Sequence, residues 1–355
     1  MKRFLFLIIS FIPVISFAQK GKIIYLTGKV GKYDAEMSLE IKENEKQVTG
    51  FYHYIGKQAW LSLVGTGNDG NLKITEYPFK NGEVDGNGMA TGLFTGTLDK
   101  NNNFKGQWTA PDQPALEFLF TPGNNKKGIN FTSGEVSADT TVYLEDDKEK
   151  QNGIGISSRI EFLQTNEVNK PFSFFLDTFI YNHLYYPDIF PDHKLPAYPD
   201  YKAVVKGYVL NNINYDSQME YSSSCNVVWN GSGVLCISHD TWEYSGGAHP
   251  NSWIEFNNFD LASGKIITTD DIFLKGYEEP LRLKAIEHLE QDPDFIERDS
   301  LKLNGNFLLT PEGISFVYNA YEINSYAAGM NGSFIPWKEL NAWIDPKGPM
   351  AWTKR

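Results

Sequence analysis

The chain has 355 residues, 41% hydrophobic, 21% charged and 14% aromatic, with a formal net charge of −12. This is globular composition for about two domains, and it excludes a disordered tail, a collagen-like chain and a coiled coil. The acidic balance excludes nucleic acid as a partner, because the electrostatic footprint of such binding is basic.

The first residues read MKRFLFLIISFIPVISFAQK. Lys2 and Arg3 form a positive start, Phe4 to Ile15 an apolar run, and Ser16-Phe17-Ala18 places small residues where a signal peptidase reads them. A signal peptide over 1–18 is expected, with cleavage leaving Gln19 first and a periplasmic or secreted product. The run contains Pro13 and is short for a membrane span. No cysteine adjoins the cleavage point and no later run is long enough to cross, so no membrane anchor is expected after cleavage.

Residues 25–121 read as short strands. Apolar alternation runs through Ala35-Met37-Leu39-Ile41 and returns around Phe51, Trp60-Leu61-Leu63 and Leu72-Ile74. Turn signals at Asn68-Asp69-Gly70, Asn81-Gly82 and Asp99 to Asn103 separate them. That spacing predicts an all-β domain, a small barrel or a sandwich. Three segments set Gly beside aromatics (Thr49 to Tyr52, Thr91 to Gly96, Phe104 to Trp108), as sharp twist or close backbone approach requires. Residues 122–152, rich in Gly, Asn, Thr and charge, read as a linker, with one strand added at Thr141 to Leu144 and a solvated turn at Glu145 to Lys150.

From Gly153 to Asp345 strands and helices mix. Strands are predicted at Ile154 to Phe162, Tyr201 to Asn211, Met219 to Trp229, Gly233 to Trp242 and Trp253 to Phe259. A helix is predicted at Pro171 to Tyr185 with Phe175, Leu176, Phe179, Ile180 and Leu184 on one face, and another at Glu278 to Gln291 through Leu281, Ala285, Ile286 and Leu289. Phe307 to Leu309 and Ile314 to Tyr318 form a hairpin, and Pro336 to Ile344 a short helix. With no βαβ rhythm, the class is α+β: an antiparallel sheet with packed helices, preceded by the all-β domain.

Cys225 and Cys236 flank VVWNGSGVL, in which Asn230-Gly231 is a hairpin signal. Two antiparallel strands bring the cysteines close, and in an exported protein a cross-strand disulfide is expected where register permits.

Three clusters draw attention. Gly246-Gly247-Ala248-His249, flanked by Trp242 and Tyr244, reads as a tight loop presenting an imidazole, or as a structural histidine bonding its own turn. Tyr321-Glu322-Ile323 with Tyr326 and Gly329 offers a carboxylate between aromatics, or an ion pair that orders a loop. The stretch Tyr181 to Tyr201, with His183, Asp192 and His193, is aromatic and Pro-rich, suited to contact or to packing on a sheet. Asp260 reads as a turn residue, and Asp270 and Asp271 as helix caps. No phosphate loop, dinucleotide fingerprint, zinc helix or nucleophile elbow is present, so no catalytic residue, metal or cofactor is assigned.

Tyr244 to Phe273 (YSGGAHPNSWIEFNNFDLASGKIITTDDIF) and Gly313 to Leu340 (GISFVYNAYEINSYAAGMNGSFIPWKEL) carry a resemblance. Over 153–345 the chain resembles a bacterial extracytoplasmic domain family of largely unknown function. That family is found in the outer part of the lysozyme-sensing anti-sigma factor RsiV and beside the deacetylase domain of PdaC. The resemblance implies an α+β extracytoplasmic recognition domain and does not imply an enzyme. The expected function is that of a non-enzymatic recognition protein that binds a basic lysozyme-like protein or a peptidoglycan-derived glycan. The expected ligand-binding residues are Trp242, Tyr244, Gly246, Gly247, His249, Tyr321, Glu322 and Tyr326. The alternatives are an envelope hydrolase using His249 and Glu322, and a two-domain scaffold.

Overall fold

The computed structural model describes residues 14–42, 46–57, 60–80, 83–84, 89–143, 153–165, 171–184, 200–213 and 217–354. The charged start of the expected signal peptide, the Asn81-Gly82 turn, the Glu145 to Lys150 cluster and the Asp192/His193 pair lie outside them. The chain is mostly β with few helices, and it divides into two interleaved compact units. One, here the barrel unit, comprises Gly21–Phe131, Val227–Ser238 and Glu255–Arg355; the second comprises Met1–Lys20, Thr132–Asn226 and His239–Ile254.

The barrel is built from β1 (Val14–Val30), β2 (Tyr33–Lys42), β3 (Gln47–Tyr54), β4 (Trp60–Asn68), β5 (Asn71–Lys80), the two-residue β6 (Glu83–Val84), β7 (Gly92–Leu98), β8 (Phe104–Thr109) and β9 (Leu116–Pro122). Successive strands pair antiparallel, β5 passing over β6 to β7, and β9 returns to β1 with Leu26 opposite Pro122 and Val30 opposite Phe118. Eight strands therefore close into a barrel, which leaves it no open edge. The alternation read in β2 is the one that folds: Ala35, Met37, Leu39 and Ile41 all face the barrel core with Phe94, Phe104, Phe118 and Phe120. The Asn68–Asn71 turn carries Asp69 at φ +50 and Gly70 at φ +81, the two left-handed residues of a type I′ hairpin. Gly96 and Gly106 are cross-strand partners, and a Cβ on Gly106 would lie 2.5 Å from the Gly96 Cα. The glycine-and-aromatic echo marks such close backbone approach.

The second unit contains β10 (Phe131–Val142) from Thr132, β11 (Ile154–Thr165), α1 (Pro171–His183), α2 (Tyr201–Asn212) and the outer parts of β12 (Met219–Gly231), β13 (Val234–Tyr244) and β14 (Asn251–Asp260). Three expectations are corrected here. The segment expected as a linker supplies β10, where Phe131, Ser133, Val136 and Ala138 are buried at nearly strand period. Residues from Tyr201 form a helix rather than a strand. Tyr201, Val204, Val205, Tyr208 and Val209 are its buried residues, and Asp200 caps it by accepting from the Ala203 N–H at 3.0 Å. Their β-branched and aromatic character suggested a strand, but the spacing has the helical period of 3.6. Finally, β11 and β12 pair parallel, Ile156 opposite Met219 through Glu161 opposite Ser224. A parallel pair needs a long crossover, and α1 and α2 lie within it. In α1, Leu176, Ile180 and Leu184 are buried as expected, but Phe175 is exposed.

The rest of the barrel unit comprises β15 (Lys265–Ile266), α3 (Thr269–Ile272), α4 (Glu278–Glu287), β16 (Phe307–Leu309), β17 (Gly313–Tyr318), β18 (Asn331–Pro336) and α5 (Trp337–Leu340). The strand β18 was not anticipated; it pairs with β17 from Tyr318 opposite Asn331 to Gly313 opposite Pro336. Leu281, Ala285, Ile286 and Leu289 join Phe316, Ile335 and Trp337 in one core with Phe51, Trp60 and Trp229. Thr268 and Asp271 form a capping box at α3, and Asp270 instead accepts from the Tyr277 hydroxyl at 2.7 Å.

The expected disulfide is absent: Cys225 and Cys236 are free and buried. A turn centred on Asn230-Gly231 would set the two cysteines opposite each other. The turn instead falls at Ser232-Gly233, with φ +52 and +88. Counted from that turn, Cys225 falls opposite Asp240 and Cys236 opposite Trp229. Burial drives the Cys225 thiol well above its ordinary pKa, with the Asp240 charge adding to it, and pushes Cys236 up to about 12. Neither thiol should react with a disulfide reagent in the native protein, and two should react in denaturant. A native titration of one or more fast thiols would contradict this packing.

Candidate functional site

The expected ligand-binding residues divide between the units. Trp242, Tyr244, Gly246, Gly247 and His249 belong to the second unit; Tyr321, Glu322 and Tyr326 belong to the barrel unit. Gly246 and Gly247 adopt φ +81 and +103, so the tight loop forms as read. The Tyr244 hydroxyl donates to the Gly247 carbonyl at 3.2 Å, and the exposed His249 donates from Nδ1 to the Pro250 carbonyl at 2.9 Å. That last bond orders the turn's own backbone.

The second group is more fully built. Two loops, 290–298 after α4 and 319–330 between β17 and β18, are tied by buried amides. Asn324, 1% exposed, donates to the Asp292 carbonyl at 3.0 Å and accepts from Asn331 at 2.9 Å. Asp294 accepts from the Ser325 hydroxyl and backbone N–H, which together hold its carboxyl below the usual range. The backbone N–H groups of Asp294 and Phe295 both donate to the Ile323 carbonyl, and the Ile323 side chain is buried.

On this frame Tyr321 stands in the left-handed region at φ +72, with its N–H donating to the Asn324 carbonyl at 2.9 Å. Its ring stacks on Tyr326 at 5.8 Å between centroids. A bulky residue at positive φ is strained and persists only where its surroundings fix it. Phe295, Ile296, Tyr321 and Met330 are exposed large hydrophobic residues, all carried by these two loops. Exposed carboxylates of Glu290, Asp292, Asp294, Glu297 and Glu322 lie among them, with Arg298 paired to Asp292 and Asn304 donating to Glu322 at 3.1 Å. Exposed apolar side chains and exposed carboxylates thus share these two bonded loops, and such a mixture can contact a ligand that is part apolar and part cationic.

Of the residues on these two loops, the sequence singles out Tyr321, Glu322 and Tyr326 but not Phe295 and Ile296. The signal was an apolar pair standing alone in the charged run Gln291 to Ser300.

Other polar clusters serve other ends. Glu287, His288 and Glu339 have ligand-like spacing, but the Lys284 ammonium already lies 2.7 Å from Glu287 and 3.0 Å from Glu339. Ser232, His53 and Glu36 converge on the barrel wall. Ser232 Oγ and His53 Nε2 both bond the same Glu36 oxygen, at 3.1 and 3.3 Å. A nucleophilic triad needs the imidazole between hydroxyl and carboxylate, bonded through opposite nitrogens, so this arrangement holds the hairpin turn and does not activate the serine. A shallow groove of about 470 Å³ on the barrel, lined by Lys46, Lys73, threonines and asparagines, contains no aromatic or acidic lining residue.

Residues 270–338 match the family described as "Protein of unknown function (DUF3298)". Among solved structures, a member of that family from Bacteroides fragilis is 20% identical, covers 65% of this chain and 98% of its own, with a TM-score of 0.48. A second, from Pseudomonas aeruginosa, is 18% identical, covers 63% of this chain and 97% of its own, with a TM-score of 0.46. A comparison with curated proteins finds no match. The matched segment contains α4, the loop at Phe295 and the loop at Tyr321.

Proposed function

We propose that this chain is an exported recognition protein of the cell envelope that captures a basic, lysozyme-like protein through the Phe295–Tyr321 surface. The observation that carries the reading is the exposed Tyr321 held at φ +72, on a loop bonded through the Ile323 carbonyl to the one that carries exposed Phe295 and a set of carboxylates. Strain kept at an exposed aromatic suits a preformed contact, and preformed contacts lower the entropy cost of binding. The net charge of −12 adds long-range attraction for a cationic partner. Export is supported by Lys2, Arg3 and the apolar run after them. The finer kinship with RsiV/PdaC-type domains, and an α+β description of the region 153–345, belong to this same proposal. They are the reason lysozyme is the probe.

Titration calorimetry with lysozyme at low salt should show binding that weakens as salt rises. Tyr321→Ala and Phe295→Ala should each weaken it roughly 10- to 30-fold. Tyr321→Gly should lose binding equally, yet exceed Tyr321→Ala in stability by about 1 kcal/mol, because glycine tolerates positive φ. Absence of binding at low salt, or affinity untouched by both alanine variants, would sink the protein-partner reading. Binding of muropeptides in place of lysozyme would transfer the surface to a glycan.

A further inference from the structure

A shallow groove of about 470 Å³ lies on the outer wall of the barrel, over β4, β5 and β7. Leu63, Leu72, Ile74, Phe94 and Leu98 belong to the barrel core, so strand alternation turns the residues between them outward. Register sets those residues in two rows. Thr66, Lys73 and Thr95 stand opposite one another in the first, and Asn68, Asn71 and Thr97 in the second. Lys46, before β3, lines the same groove. It stands at φ +54, and its carbonyl accepts from the Gly67 N–H at 2.9 Å, which ties it to β4. Lys29 and Lys284 are paired with carboxylates at 2.8 and 2.7 Å, but neither Lys46 nor Lys73 has such a partner among the described residues. The groove is lined by no acid, in a chain of net charge −12; Asp69, in the β4–β5 turn, is not among the lining residues.

We propose that this groove binds an anionic oligosaccharide, with Lys46 and Lys73 on its carboxylate or phosphate groups and the threonines and asparagines on its hydroxyls. Lys, Thr and Asn side chains all donate, and Thr and Asn also accept, which suits a ligand rich in hydroxyls that carries negative charge. No aromatic ring lines the groove, so it has neither the stacking platform of a nucleic-acid site nor the aromatic anchor of a protein hot spot. The overall negative charge does not forbid an anion here, because exposed charges beyond the Debye length of about 8 Å are largely screened at physiological salt. The site shares no residue with the Phe295–Tyr321 surface and does not rest on the reading given for it.

The test is calorimetry of the full chain with an oligouronate, a phosphorylated oligosaccharide and a neutral oligosaccharide of equal length. At least one anionic probe should bind, with affinity that falls as salt rises, and the neutral probe should bind at least about tenfold more weakly. The anionic probe that binds tells carboxylate from phosphate. Lys46→Ala and Lys73→Ala should each weaken that binding roughly 3- to 10-fold, and Thr95→Glu, which sets a carboxylate beside Lys73, by more than either. Lys338→Ala loses the same charge on α5 and should leave the affinity unchanged, as should Tyr321→Ala. Circular dichroism checks that each variant folds. Absence of binding by both anionic probes overturns the proposal. So do equal binding of the neutral probe, affinity unchanged in both groove-lysine variants, and a loss in Lys338→Ala or Tyr321→Ala that matches theirs.

Discussion

Replacing Glu36 with alanine should lower the unfolding free energy by about 3 kcal/mol, read from urea denaturation of the full chain. Glu36 lies on β2 with its side chain on the outer wall of the barrel, yet it is only 6% exposed. One carboxylate oxygen accepts from the Ser232 backbone N–H, the Ser232 hydroxyl and His53 Nε2. His53 is fully buried against Trp229 and Trp352. Deleting the carboxylate takes the acceptor from the Ser232 N–H and leaves the Ser232 hydroxyl and the buried His53 Nε2 with only each other, 3.2 Å apart. It also releases the left-handed Ser232 turn that sets the β12–β13 register. Burial alone would raise the Glu36 pKa, but the hydrogen bond and charge of His53 and the two bonds from Ser232 outweigh it, and the net shift is downward. A carboxyl with a depressed native pKa contributes stability at pH values above its unfolded value, about 4.3 for Glu. That contribution is lost as pH falls below this value through the native pKa. Glu36→Gln keeps an acceptor and should sit between wild type and alanine, with a shallower loss of stability below about pH 4. A cost under about 1 kcal/mol for Glu36→Ala would mean that the turn is held by its other bonds.

Those other bonds show what was legible beforehand and what was not. Alternation in β2 identified Ala35, Met37, Leu39 and Ile41 as one face, and they are the barrel-facing set. The same period puts the intervening Glu36 and Ser38 on the opposite face of the strand. They are buried because the β12–β13 turn, nearly two hundred residues later, covers them: Asn230 donates to Ser38 at 3.3 Å, and Ser232 to Glu36. No local pattern encodes a contact of that range. The misplaced hairpin turn has a similar cause. Asn230-Gly231 and Ser232-Gly233 are competing signals two residues apart, and Asn230 is withdrawn from turn duty by its bonds to both polar groups of the Ile129 backbone. The disulfide expectation failed with the register. In the proposed docking surface, the tyrosines and Glu322 are legible as residue types near a left-handed glycine, Gly329 at φ +78. Phe295 and Asp294 come from another loop, bonded to this one through Ile323 and Ser325, a contact that composition does not announce.

Glu76 poses the opposite case, an inward charge that strand periodicity could have located. It follows Leu72 and Ile74 on the same face of β5, and it is 3% exposed. The apolar alternation ends at Ile74, and the next residue in phase is acidic. Inside the barrel its two oxygens are divided. Oε2 accepts from the Tyr52 hydroxyl and from Trp108 Nε1 at 2.9 Å, and Oε1 from the Thr91 hydroxyl at 2.6 Å. Glu76→Ala removes the acceptor for three donors and opens a void among aromatic rings. The expected loss is on the order of 4 kcal/mol, with a shift of Trp108 fluorescence. Glu76→Gln should lose only about 1 kcal/mol, for a geometric reason. If its amide oxygen takes the Oε2 position, Tyr52 and Trp108 keep their acceptor. The amide nitrogen then faces Thr91, whose hydroxyl can rotate and accept. Thr91→Val removes that freedom and should make Gln at 76 nearly as costly as Ala, so the double variant should exceed the sum of its singles. If Glu76→Gln proves as damaging as Glu76→Ala with Thr91 intact, the negative charge itself, and not the acceptor geometry, holds this end of the barrel.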